Sequence, residues 1–194
     1  MMAEADGKMT GRPGIALVTR GPGASNAASG IHVAQQDSTP LIVFIGQVAR
    51  DMRGRDAFQE VDYHQFFGGM AKWVAEVEQA DDRAASIEQA YLTAMEGRPG
   101  PVVISLPEDM LYEEASSAIP ARVGITRPAP DIDAITTARS MLEGAERPMV
   151  IAGGSVWDDG SIADLSRFAA SFGVPVACSF RRQRLMNNLD PHYA

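Results

Sequence analysis

With 194 residues, 45% of them hydrophobic and 22% charged, the chain has room for one sizeable α/β domain, or for one domain and part of another. Its 17 Lys and Arg against 25 Asp and Glu give a net charge of −8, which argues against a general nucleic-acid or anionic-membrane surface. The single cysteine, Cys178, excludes an intrachain disulfide framework, and no apolar run approaches the ~18 residues of a membrane span.

The opening "MMAEADGKMTGRPG" has neither the basic nor the apolar region of a signal peptide, so a cytoplasmic location is expected. Three apolar runs each follow Arg-Pro: "GIALVT" after Pro13, "PVVISLP" from Pro101, and "MVIAGG" after Pro148. Proline ends a loop without disturbing the ladder of the strand after it. These runs, with "LIVFIGQV" from Leu41 and "VPVACSF" from Val174, are nearly continuous in Val, Ile and Leu. That pattern fits strands covered on both faces, as in a parallel sheet.

Helical patterns alternate with the runs. "SNAASGIHVAQQD" follows the first, and "DDRAASIEQAYLTAMEG" precedes "PVVISLP", with Asp81 or Asp82 as its expected cap and Gly97 as its end. "DIDAITTARSMLEGA" and "SIADLSRFAASFG" repeat the arrangement. The expected fold is α/β, doubly wound on a mostly parallel sheet.

Two regions break the rhythm. Residues 49–71, "ARDMRGRDAFQEVDYHQFFGGMA", are polar and aromatic without a clean period, and a segment of that length is often functional. The Pro, Ala and Ser-rich stretch near residue 120 reads as a linker. The chain divides into a first unit at 1–115, a linker at 116–130, and a second unit at 131–194 that is short for a complete domain.

The "TRGPGASN" corner follows the first strand. A glycine-rich strand-to-helix corner aims backbone N–H groups and the positive end of a helix dipole above the sheet's carboxyl edge. A plain tight corner explains Gly21-Pro22-Gly23 as well, and neither GxGxxG nor a Walker lysine is present. Gly153 and Gly154 pose the same choice. His32, His64 and His192 form no metal-ligand spacing, so no metal site is expected, and His32 reads as a core or interface residue. Asp37, Asp56, Glu60 and Asp62 read mostly as solvated, Cys178 as a buried structural thiol, and "FRRQR" (Phe180 to Arg184) as a solvated face or ion-pair cluster.

The blocks "GPGASN", "DSTPLIVFIGQV" and "DAFQE", followed by "AKWVAEV" and "GRPGPVVISLPEDML", resemble the pyrimidine-binding domain of thiamine-diphosphate-dependent enzymes, most closely the acetolactate synthase group. "RPMVIAGGSVWDDG" and "FAASFGVPVACSF" resemble the start of that family's Rossmann-like central domain. The resemblance implies an incomplete pyrimidine-binding domain followed by part of the central one. It implies thiamine diphosphate with Mg in the full-length parent, a small 2-oxo acid or aldehyde as substrate, carboligation or decarboxylation as reaction, and a homo-oligomer. No nucleic-acid or membrane partner is expected, and no feature of the sequence supports FAD.

By match, Gly21, Pro22, Gly23 and Asn26 would meet the aminopyrimidine, and Phe58 and Gln59 would face the reacting end of the cofactor. Gln47 would support the loop. The family's catalytic glutamate, in a His-Glu-Gly-type motif, and its Gly-Asp-Gly…Asn metal motif have no counterpart in these 194 residues, and Glu4 is no substitute. The expectation is a fragment that is inactive alone and self-associates. The alternative is a non-catalytic binding or regulatory module that keeps the fold.

Overall fold

The computed structural model describes residues 1–121, 124–126 and 128–194. By contacts the chain forms two compact units, Met1–Thr126 and Arg127–Ala194.

The first unit opens with helix α1 (Met2–Thr10), then strand β1 (Gly14–Val18), helix α2 (Pro22–Asp37) and strand β2 (Leu41–Gln47). A short helix α3 (Tyr63–Phe67) and strand β3 (Trp73–Glu76) lead to helix α4 (Arg83–Met95) and strand β4 (Pro101–Pro107). The four strands pair in the order β1-β2-β4-β3, all parallel, with Leu41 beside Gly14 on one side and Pro101 on the other. The central strands β2 and β4 are the continuous apolar runs, as a sheet covered on both faces requires.

Helices pack on both faces. Ala24, Ile31 and Ala34 of α2 meet Leu41, Val43, Ile45 and Val103 on one face, with Tyr63 and Phe67 of α3. Ala90 and Ala94 of α4 meet Ile42, Val102 and Ile104 on the other. Each fully buried Ile or Val contributes about 1.5–3 kcal/mol. At the sheet edge, Ile15 and Leu17 of β1 remain 51% and 75% exposed.

The second unit carries α5 (Ile132–Glu143), β5 (Val150–Ala152), α6 (Asp159–Phe172) and β6 (Val176–Cys178), with β5 and β6 parallel. Its core is Ala152, Leu165, Ala169, Val176, Leu185 and Met186. Asp131 caps α5 and Asp158 caps α6 through side-chain bonds, and α6 ends on left-handed Gly173. The fold is the α/β, parallel-sheet architecture expected. Among the described residues, no helix is long and apolar enough to cross a membrane.

Several local readings differ. Strand β3 has no continuous aliphatic run to announce it, being four residues that include Glu76. Asp82 stands at the N-cap of α4 as expected but makes no side-chain capping bond, and Asp81 accepts from the backbone N–H groups of Ser116 and Ser117. Asp37 is buried and pairs with Lys8 at 2.5 Å, so it is not a solvated carboxylate. His32 is exposed on α2 and does not belong to the core. Cys178 is half-buried at the margin of the second core. In the "FRRQR" stretch, Arg182 donates from Nε to the Gly154 carbonyl at 2.5 Å.

Candidate functional site

The corner between β1 and α2 brings the two motifs together. Gly21 is the N-cap of α2 with φ 41, a left-handed angle that favours glycine, and Pro22 begins the helix. A β-carbon at Gly21 would lie 2.9 Å from the Gln59 carbonyl oxygen and 3.0 Å from Gln59 Cβ. At Gly23 it would lie 2.8 Å from Thr19 Cγ2, against the end of β1. Both glycines are favoured by contacts within the chain: Gly21 admits the "DAFQE" loop against its backbone, and Gly23 lets α2 fold back tightly on its strand. The first turn of α2 carries no acidic residue and no side-chain cap, so the positive end of a 16-residue helix is left unneutralised there.

Pro22 and Asn26, one turn apart, are both exposed on α2. Asn26 also lines a cavity of about 410 Å³ with Val18, Thr19, Gly23, Glu4 and Met1. Glu4 is buried and accepts from Thr39 Oγ1 at 3.4 Å.

The "DAFQE" loop is held from three directions. At its base Arg50 donates from Nε to Asp109 at 2.7 Å and also pairs with Glu113, while Arg53 pairs with Glu76 and Glu78. Those carboxylates stand at or just beyond the carboxyl ends of β3 and β4. Within the loop, the Glu60 carboxylate accepts from Gly54 N at 2.5 Å and Ala57 N at 2.9 Å. These bonds, Gly54 first, hold the Glu60 carboxyl below its ordinary range, with a smaller contribution from the positive charge of Arg53. From below, Gln47 Nε2 donates to Val61 O at 2.9 Å. The loop stores strain: Asp56 and Gln59, neither a glycine, have φ of 55 and 65. Phe58 at the tip is 79% exposed and joins no core cluster, while Gln59 is half-buried.

The structure therefore brings Gly21 and Gln59 into contact, with Pro22 and Asn26 on the following turn and Phe58 next to Gln59. Sequence reasoning missed Tyr63, Arg50, Arg53 and Glu76, and it grouped Glu60 with the mostly solvated acids although its carboxylate closes the loop. The partners of Arg50, Arg53 and Tyr63 lie in distant segments, and nothing in the local pattern announces them.

The second glycine corner is closed by Trp157 and by the segment after β6. Gly153 O accepts from Trp157 Nε1 at 2.8 Å, and a β-carbon at Gly153 would lie 2.9 Å from Ser179 Oγ. Gly154 has φ 80 and open space around it. Among the described residues, no group of three His, Cys, Asp or Glu side chains is arranged to hold a metal ion.

Two segments of the chain match known proteins. Residues 1–66 match the family model "Thiamine pyrophosphate enzyme, N-terminal TPP binding domain", and residues 135–194 match "Thiamine pyrophosphate enzyme, central domain". The chain is 37% identical over 182 residues to the acetolactate synthase large subunit of Parasynechococcus marenigrum, covering 90% of this chain and 29% of that protein. It is 36% identical over 184 residues to acetolactate synthase isozyme 3 large subunit of Escherichia coli, covering 92% of this chain and 32% of that protein. A thiamin diphosphate-dependent enzyme of Mycobacterium smegmatis superposes with TM-score 0.89 at 30% identity, covering 100% of this chain and 38% of its own. The chain thus spans about a third of the length of these relatives. Both motifs, Gly21 to Asn26 and Asp56 to Glu60, fall inside the N-terminal match, and the chain belongs to the thiamine pyrophosphate enzyme family.

Proposed function

We propose that these residues form the pyrimidine-facing side of a thiamine diphosphate site in an enzyme similar to acetolactate synthase. Its substrate would be a 2-oxo acid or an aldehyde, and its reaction carboligation or decarboxylation. One observation carries the reading: Gly21 packs directly on Gln59, so both motifs of the resemblance border one surface. The residues there suit a flat heteroaromatic ring. Asn26 offers an amide donor and acceptor to its edge, Pro22 an apolar face, and the helix terminus a positive field.

When bound, thiamine diphosphate supplies an electron sink for bonds made or broken next to a carbonyl. This chain's residues would do the positioning. Gly21 and Gly23 set the corner, Asn26 orients the ring, Phe58 shields the reacting side from water, and Gln59 hydrogen-bonds the substrate's oxygen. Among the described residues no acidic cluster fits a magnesium ion, so we assign the metal and diphosphate contacts to polypeptide outside these 194 residues and derive no step through them. The family-like partner would be a second copy, in a dimer or tetramer, and the compartment the cytosol. The exposed Ile15 and Leu17 of edge strand β1 favour self-association.

The test is a titration of the ¹⁵N-labelled chain with 4-amino-5-hydroxymethyl-2-methylpyrimidine, followed by amide shifts. Weak binding with shifts at Gly21, Gly23, Asn26 and Gln59 is expected, with no turnover of pyruvate by the chain alone. Shifts elsewhere would sink the reading. Tight binding of thiamine diphosphate with Mg would overturn the assignment of the remaining contacts to other polypeptide.

A further inference from the structure

Tyr63 stands between the two motifs, and neither the resemblance nor the sequence singles it out. It is 2% exposed, and its ring sits in the core beside Phe67, with ring centroids 6.2 Å apart. Its hydroxyl accepts from Gly21 N at 3.2 Å and donates to Gly46 O at 3.0 Å. One oxygen atom thus joins the cap of α2, the carboxyl end of β2 and the helix that follows "DAFQE", across separations of 42 and 17 residues.

The chemistry asks for this side chain. The junction needs one buried group that both accepts and donates, at the end of an apolar body long enough to reach from the core. A phenol meets all three conditions, phenylalanine lacks the polar atom, and serine lacks the reach. Burial raises the phenol's pKa further above its ordinary value, so the group keeps the proton it donates.

The base of the ring is fixed too. Asp62 caps α3 by accepting from Gln65 N at 3.0 Å, and Gln47 holds Val61 O at 2.9 Å. Tyr63 therefore has little freedom, and neither do the groups bonded to it. Gly21, in turn, touches Gln59, four residues before Tyr63.

We propose that Tyr63 is a positioning residue that locks the Gly-Pro-Gly corner to the "DAFQE" loop, fixing where a ring held at Asn26 lies relative to Phe58 and Gln59. It rests on the pyrimidine reading above for the identity of that ring. Tyr63 touches no ligand itself; it acts through Gly21 and the loop.

The test compares the chain with its Tyr63→Phe variant, which keeps the ring and removes the oxygen. Amide hydrogen exchange is read at Gly21, bonded to Tyr63, and at Glu60, whose amide donates to Ala57 O at 2.9 Å within the loop, with Val103 and Ile104 in the centre of β4 as controls for global opening. Exchange about 10-fold faster at both Gly21 and Glu60, with the controls unchanged, is expected from loss of one buried hydrogen-bonding group. An equal rise at the controls would make Tyr63 a packing residue and overturn the proposal, as would unchanged exchange at Gly21 and Glu60.

The aminopyrimidine titration separates the two layers. The wild-type chain should show shifts at Asn26 and Gln59 together, and the variant should keep the first while losing the second. Wild-type silence toward the pyrimidine overturns the ligand reading, whereas the exchange result judges the lock independently. A second measurement needs no variant: the Tyr63 hydroxyl proton should give a slowly exchanging signal with a cross-peak to the Gly21 amide. Its absence in the folded chain overturns the proposal.

Discussion

Two glycine corners follow parallel strands in this protein, and they differ in what converges on them. Gly21-Pro22-Gly23 is defined by distant parts of the chain, through the Tyr63 hydroxyl and the packed Gln59 backbone. Gly153-Gly154 is held by Trp157 four residues on and by Ser179 and Arg182, just past the end of the neighbouring strand. The first corner contributes to a surface that two separated motifs share, and the second completes a turn. Segments converge on both corners, and what separates them is the segment that arrives: an exposed loop with two left-handed residues at the first, the end of the paired strand at the second.

The contrast can be broken most severely at Gly21. Gly21→Ala would combine a left-handed backbone with a contact against backbone atoms of Gln59, and should destabilise the first unit by about 2–4 kcal/mol. Urea unfolding followed by Trp73 fluorescence in a Trp157→Phe background isolates that unit, since the chain has 2 tryptophans. A shift below half a unit of kcal/mol would mean that the loop yields freely and the convergence is loose. Gly23→Ala should come next, at about 1–3 kcal/mol, because Thr19 Cγ2 is a side-chain atom with some room to turn. The same unfolding curve measures it.

For the second corner, Gly154→Ala meets nothing and carries only the strain of φ 80, so about 1 kcal/mol is expected, read from the second unit's Trp157. A loss as large as that at Gly21 would erase the distinction drawn between the corners. The smallest effect concerns pH. Glu60's folded-state carboxyl lies below its ordinary 4.5, so its contribution to loop closure is present above that value and is lost as pH falls through the lowered one. The protection factors of the Gly54 and Ala57 amides, relative to the unstructured rate at each pH, should fall over that acid range and should stay constant with pH in Glu60→Gln. An unchanged profile in the variant would show that the carboxylate does not close the loop.

Much of the architecture was legible because it is written in local periodicity. β1, β2 and β4 are aliphatic runs, and α2, α5 and α6 have apolar faces with recognisable ends. β3 escaped because a four-residue edge strand with a glutamate has no periodic signature. At the site, the corner and "DAFQE" could be seen, but not why they meet. Arg50 finds Asp109 across 59 residues and Tyr63 finds Gly21 across 42, and composition carries no trace of either meeting. Asp81 shows the converse: its sequence position invites a helix cap, yet Ser116 and Ser117 claim it.

The way the loop is anchored separates its footing from its tip. Arg50 and Arg53 grip carboxylates at the sheet edge, Glu60 closes the near end, and Phe58 projects beyond them without entering any core cluster. Exchanging the residue at position 58 would leave every one of those grips intact. A substitution at position 58 would therefore report on whatever meets the tip and leave folding unchanged, so the two can be measured apart on the same loop.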